Sequence, residues 1–199
     1  MPPDLRPGPD SPPADELRSA EATLGVLQQV VHTVAADDLT KQTPCTEFDV
    51  SGLTEHLLNS ITTLGGMVDA DFSLLPDDTE SVERRIIGAA RPALDAWHRH
   101  GLQGEVSLGQ GAMPANVAVA VFSLEFLVHA WDYAVSVGRQ VDAPDSLSEY
   151  VLGLAHTLIK PAQRGAAGFD PPVSVADDAP VLDRLVAFTG RNPDDARRR

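Results

Sequence analysis

Apolar residues recur at three- and four-residue steps along most of this chain, the period of amphipathic helices rather than strands. The first run is Leu17, Ala20, Leu24, Leu27, Val31 and Val34, which predicts a helix from Ala14 to about Ala36, where Asp37 and Asp38 follow. Pro44 interrupts the next stretch. Asp49 is then placed to cap a second helix that starts at Val50 and ends before Pro76. Its stripe is Leu53, Leu57, Ile61 and Leu64. A third helix is expected from near Thr79 to a stop at Gly101, carrying Val82, Ile86, Ile87, Ala90, Leu94 and Trp97.

A fourth helix runs from about Pro114 to Val137, with Gly138 at its end. It is apolar nearly all round, so it is expected at the centre of the fold. A fifth helix spans roughly Ser146 to Ile159. The segment GEVSLGQGAMP, between the third and fourth helices, reads as a loop with one short extended piece. The tail reads as a short extended segment followed by a helix from Pro180 to Thr189. Three regions follow: a proline-rich leader, 1–13, expected to be disordered; a helical bundle, 14–160; and a small C-terminal extension, 161–199. The expected class is all-α, a four-helix-bundle core with an appendage.

Composition narrows the functions. The formal net charge is −14 and the isoelectric point about 4.6. Such a surface repels phosphate backbones, and no basic cluster precedes Arg197, Arg198 and Arg199, so nucleic-acid binding is not expected. The longest apolar stretch, Val117 to Ala134, is broken by Glu125, His129 and Asp132, so no membrane span is expected. The first residues, MPPDLRPGPDSPPADE, have neither the basic start nor the apolar core of a secretory signal, which makes the cytoplasm the default compartment. A single cysteine, Cys45, excludes an internal disulfide and multi-cysteine zinc sites.

The interrupting residues are the chemical interest. Glu125 and His129 are four apart and point the same way, offset by about 40° around the helix axis. Asp132 lies on that face too. Buried ionisable groups need partners, and a metal ion is one that suits imidazole and carboxylate. A Glu–His pair at this spacing also occurs as an ordinary helix-surface pair, which is the competing reading. His56, beside the stripe of the second helix, reads alone as a core or boundary histidine. With Glu125 and His129 it would complete a two-histidine, one-carboxylate site between facing helices. Three protein ligands would leave coordination positions open, as in catalytic zinc sites. Asp132 would orient a ligand or serve as a cap or salt-bridge partner. His32, His98, His100 and His156 read as surface or boundary residues, Trp97 and Trp131 as core anchors, and Cys45 as a small buried residue under a loop.

The blocks TPCTEFDVSGLTEHLL, LEFLVHAWDYAVSVGR and PVSVADDAPVLDRLVAFTGRNP together resemble an actinobacterial family of metal-binding proteins, over residues 15 to 193. That family is related to the N-terminal domain of mycothiol-dependent maleylpyruvate isomerase and, more distantly, to DinB-like proteins. The resemblance implies a DinB-like four-helix bundle holding a divalent metal, zinc first and nickel or iron as alternatives. Its ligands, carried over by position, are His56, Glu125 and His129. It also implies a low-molecular-weight thiol such as mycothiol as cosubstrate, and a small electrophile as its partner in the reaction. The isomerase has a further C-terminal domain, whereas about 40 residues follow the fifth helix here. What carries over is the general chemistry of a thiol transferase or isomerase. The alternative is a non-catalytic bundle that binds a metal or small ligand. Bundles of this group often pair, so a homodimer is the expected assembly.

Overall fold

A computed structural model describes residues 10–109, 111–165 and 168–197. The expected disordered leader, 1–13, lies outside the described residues as far as residue 9. The described chain is mostly helical. Helix α1 spans Glu16–Val31, α2 Val50–Gly66, α3 Val82–His100, α4 Ala115–Ser136, α5 Asp145–Leu158 and α6 Val181–Phe188. Short 3-10 turns follow α1, α5 and α6.

Side-chain caps set the helix starts. Asp15 accepts from Arg18 N at 2.8 Å, Asp49 from Gly52 N at 2.7 Å and Ser81 from Arg84 N at 3.2 Å, each satisfying a backbone N–H that has no partner within its own helix. Glycines end two of them. Gly101 at φ 83° and Gly138 at φ 67° take the left-handed conformation in which α3 and α4 terminate. The first helix is shorter than its pattern predicts. The chain turns after Val31, with Thr33 N bonding back to Val30 O at 2.9 Å, and Val34 only packs against the core from outside. The second stops ten residues short of Pro76, at Gly66, where Gly65 admits Phe72 and Ala93 so closely that a Cβ would lie 2.6 Å from the phenylalanine ring.

One expectation is corrected. Residues 105–114 are not a loop with one extended piece but an antiparallel hairpin, β1 (Glu105–Leu108) with β2 (Gly111–Pro114), pairing Val106 with Met113. Val106 is buried and anchors the hairpin against α4. The hairpin then runs directly into α4 through Pro114 at its N-cap. No strand forms in the tail before α6 among the described residues.

Helix α4 is the hub. It packs against α1, α2, α5 and α6, and nearly every residue from Phe122 to Ser136 is buried. Among the described residues it is the one helix long and apolar enough to cross a membrane, and 83% of its most apolar window is buried inside the fold. The stripes of α1 and α2 face it, and α3 packs on α1 and α2 in turn, with Leu27, Leu53, Leu57, Ile61, Ile86 and Trp97 fully buried. Each such side chain contributes about 1.5–3 kcal/mol of burial free energy. Trp97 also donates its indole N–H to Leu64 O at 3.1 Å. Trp131 instead anchors a smaller cluster with Val135 and Val186, which seats α6 on the C-terminal half of α4.

Candidate metal centre

The loop ahead of α2 prepares the site. Thr43, almost fully buried, reaches Phe48 O with its hydroxyl at 2.6 Å and its N–H at 3.2 Å, closing the TPCTEF turn. Phe48 is thereby held against His56, ring to ring at 5.0 Å. The His56 ring in turn meets the edge of His129 at 5.2 Å and 85°. The three residues singled out in the sequence, His56, Glu125 and His129, come together: one ligand atom from each lies within 4.8 Å of the others.

Glu125 Oε2 sits between the two imidazoles, 3.3 Å from His56 Nε2 and 3.7 Å from His129 Nε2. That oxygen is buried and makes no hydrogen bond of acceptable geometry among the described residues. Burial pushes the Glu125 carboxyl up, but His56 and then His129 outweigh it and hold the group below the usual carboxylate range. Contact with the Glu125 carboxylate raises His56 above its ordinary value, against the opposing effect of burial. The donor set fits a divalent cation. Two imidazole nitrogens and a carboxylate oxygen converge, and an unpartnered buried oxygen is the group a cation would satisfy. Ligands about 2.0–2.1 Å from a tetrahedral zinc stand roughly 3.3 Å apart, close to the 3.3 and 3.7 Å from Glu125 Oε2 to the two imidazoles.

Behind the triad lies a chain of buried charges. His129, 5% exposed, bonds through Nδ1 to Asp132 Oδ2 at 2.9 Å. An Nδ1–H given to the carboxylate leaves the Nε2 lone pair aimed at Glu125 and the ligand position. Asp132 is fully buried and accepts from Arg191 twice, Nε to Oδ1 at 3.3 Å and Nη2 to Oδ2 at 3.0 Å. Burial raises the Asp132 carboxyl, yet the Arg191 guanidinium and His129 pull it below the usual range. Arg191 escaped the sequence reading. The only signal for it was that Asp132, on an apolar helix, had to find a cation somewhere, and Arg191 is 59 residues away.

The other histidines are at the surface or its margin. His32 pairs with Glu83, His98 with Glu21, and His156 rests on Phe188. Cys45 is half-buried rather than enclosed. With Arg191, Asp170 and Phe169 it lines a niche of about 140 Å³, and burial pushes its thiol up, Arg191 opposing. A larger chamber of about 520 Å³ opens on Glu125 itself, and Phe169 lines both spaces.

The fold and this cluster define a mostly helical protein with a His–Glu–His group between two helices, His129 buried and His56 and Glu125 partly so. Two curated proteins of Mycobacterium tuberculosis, from two strains and each called an uncharacterized protein, are similar to it. Both are 26% identical over 183 residues, covering 89% of this chain and 98% of their own length. No family model matches the chain, and no solved structure does.

Proposed function

We propose that this chain is a DinB-like four-helix bundle that uses a divalent metal, zinc first among the candidates, to react a low-molecular-weight thiol of the mycothiol kind with a small electrophile. The observation that carries the reading is the convergence of His56 Nε2, His129 Nε2 and the unpartnered Glu125 Oε2 on one point beside a chamber of about 520 Å³. A chamber of that size falls in the range of small-molecule sites. The thiol and the bundle type rest on the family resemblance of the TPCTEF, LEFLVHAWDY and FTGRNP blocks.

His56, Glu125 and His129 would hold the metal. A cation there supplies Lewis acidity, which lowers the pKa of a bound thiol toward neutrality. Asp132 fixes the ring of His129 and keeps its Nε2 lone pair available, and Arg191 keeps Asp132 ionised. Phe48 holds the His56 ring in plane. In the reaction the sulfur gives its proton to solvent and its electron pair forms a bond to one carbon of a conjugated C=C bond, whose π pair moves onto the adjacent carbonyl as an enolate. Where the product is a conjugate, the enolate takes a proton from solvent; where it is an isomer, the enolate pair re-forms C=C after rotation and the C–S pair leaves with sulfur.

The test is elemental analysis of the full chain at neutral pH, beside a His56→Ala, Glu125→Ala double variant. About one zinc, nickel or iron per chain is expected in the parent and none in the variant. Thiol consumption with an electrophile panel should then require the loaded protein. No metal in either sample after added zinc would sink the proposal. Stoichiometric metal with no thiol turnover would favour the non-catalytic binding alternative.

A further inference from the structure

The chamber beside Glu125 has a distinctive lining. Among the described residues around it, all but Glu125, Thr157 and Lys160 are apolar. Val117 and Val121 come from α4, Met113 from β2, Leu158 from the end of α5 and Phe169 from the segment beyond. Lys160 is exposed and forms no ion pair among the described residues. Other cations, such as Arg91, Arg99 and Arg139, also form no ion pair among the described residues, while Lys41, Arg85 and Arg191 do; Lys160 is the cation that lines this chamber. In a chain of net charge −14, a cation that forms no ion pair among the described residues, at a mostly apolar chamber, is a local selection for an anion.

We infer that the chamber takes an apolar organic molecule carrying a single anionic group, such as a carboxylate, with its carbon skeleton against Val117, Val121 and Phe169 and its anion at Lys160. A neutral apolar molecule would fill the walls but leave Lys160 unused. A small polyanion would place charge against side chains that cannot solvate it. The inference deepens the proposed function, since it rests on that reading for identifying this molecule as the electrophile; occupancy of the chamber itself does not depend on it.

The test uses the metal-free full chain and two fluorescent probes sharing an aryl skeleton. One is the anionic 8-anilinonaphthalene-1-sulfonate, the other the neutral N-phenyl-1-naphthylamine. The anionic probe should bind with one site per chain and more tightly than the neutral one. Lys160→Met should weaken the anionic probe about tenfold, the loss of one charge-assisted contact, and leave the neutral probe within about twofold. Val121→Trp, which fills the chamber, should weaken both probes at unchanged helicity. Equal binding of the two probes, or indifference of the anionic probe to Lys160→Met or to Val121→Trp, would overturn the inference. Zinc titration of the same variants separates the two ideas. Failed probe binding with zinc retained refutes this inference alone; failed zinc binding with the probe pattern intact refutes the metal reading alone.

Discussion

Replacing Arg191 with methionine removes the cation from Asp132 while keeping much of the side chain's volume. Asp132 is 0% exposed, and Arg191 covers both of its carboxylate oxygens. Stripping one partner from a buried ion pair costs about 3–5 kcal/mol, because the remaining charge stays desolvated. His129 still offers Nδ1 at 2.9 Å, which places the expected loss at the lower end, about 3 kcal/mol. For a domain of this size, that corresponds to a fall in Tm of about 6–12 °C. Urea unfolding of Arg191→Met, Asp132→Asn and the double variant should show strong non-additivity, with a coupling of about 2 kcal/mol. The pH dependence has a definite sign. Asp132 is depressed in the folded state, so its contribution is present above the unfolded value near 3.8 and is lost as pH falls through its lower folded value. The gap between parent and Arg191→Met should therefore close only in strong acid. Zinc affinity of Arg191→Met should fall about 10–100-fold, as for other lost partners of a ligating histidine. A Tm within about 1 °C of the parent, or strictly additive single variants, would refute the reasoning.

Two further outcomes follow from the fold. Tyr133 is buried, with its hydroxyl 2.9 Å from Thr54 Oγ1, and burial pushes its pKa far above the ordinary 10. The folded state thus keeps a proton that the unfolded chain releases, and stability should fall as pH rises beyond about 10; a Tyr133→Phe variant with an unchanged alkaline melting profile would contradict this. Gly190 sits at φ 94°, where a Cβ would lie 2.8 Å from Asp170 O, so Gly190→Ala should cost about 2 kcal/mol or more through strain and backbone collision. Calorimetry of that variant is the check, and a Tm equal to the parent's would show that the tail accommodates the change.

Local signals carried the helices. Asp49 and the stripe behind it marked the start of α2 to the residue, and the polar interruptions of α4 marked the face on which Glu125, His129 and Asp132 lie. What local pattern could not supply was pairing across distance. Val106 and Met113 face each other in a hairpin whose alternation is too short to register as strand against its glycines. Arg191 looked like any arginine of a polar tail, because its burial depends on α6 folding back onto α4. The approach of His56 to Glu125 likewise depends on how α2 packs on α4; the sequence reading reached it through the resemblance rather than through periodicity.

The polar row on α4 also bears on how the chain is made. Its partners come from opposite directions along the sequence, His56 before it and Arg191 after it. Synthesis runs from the N-terminus, so α1 to α4 are complete while Asp132 still lacks its cation. Contacts of such long sequence separation form late, after the entropy of closing the intervening loop has been met. The nascent chain therefore passes through a stage in which its most apolar helix holds an uncompensated charge, and the arrival of residue 191 ends that stage.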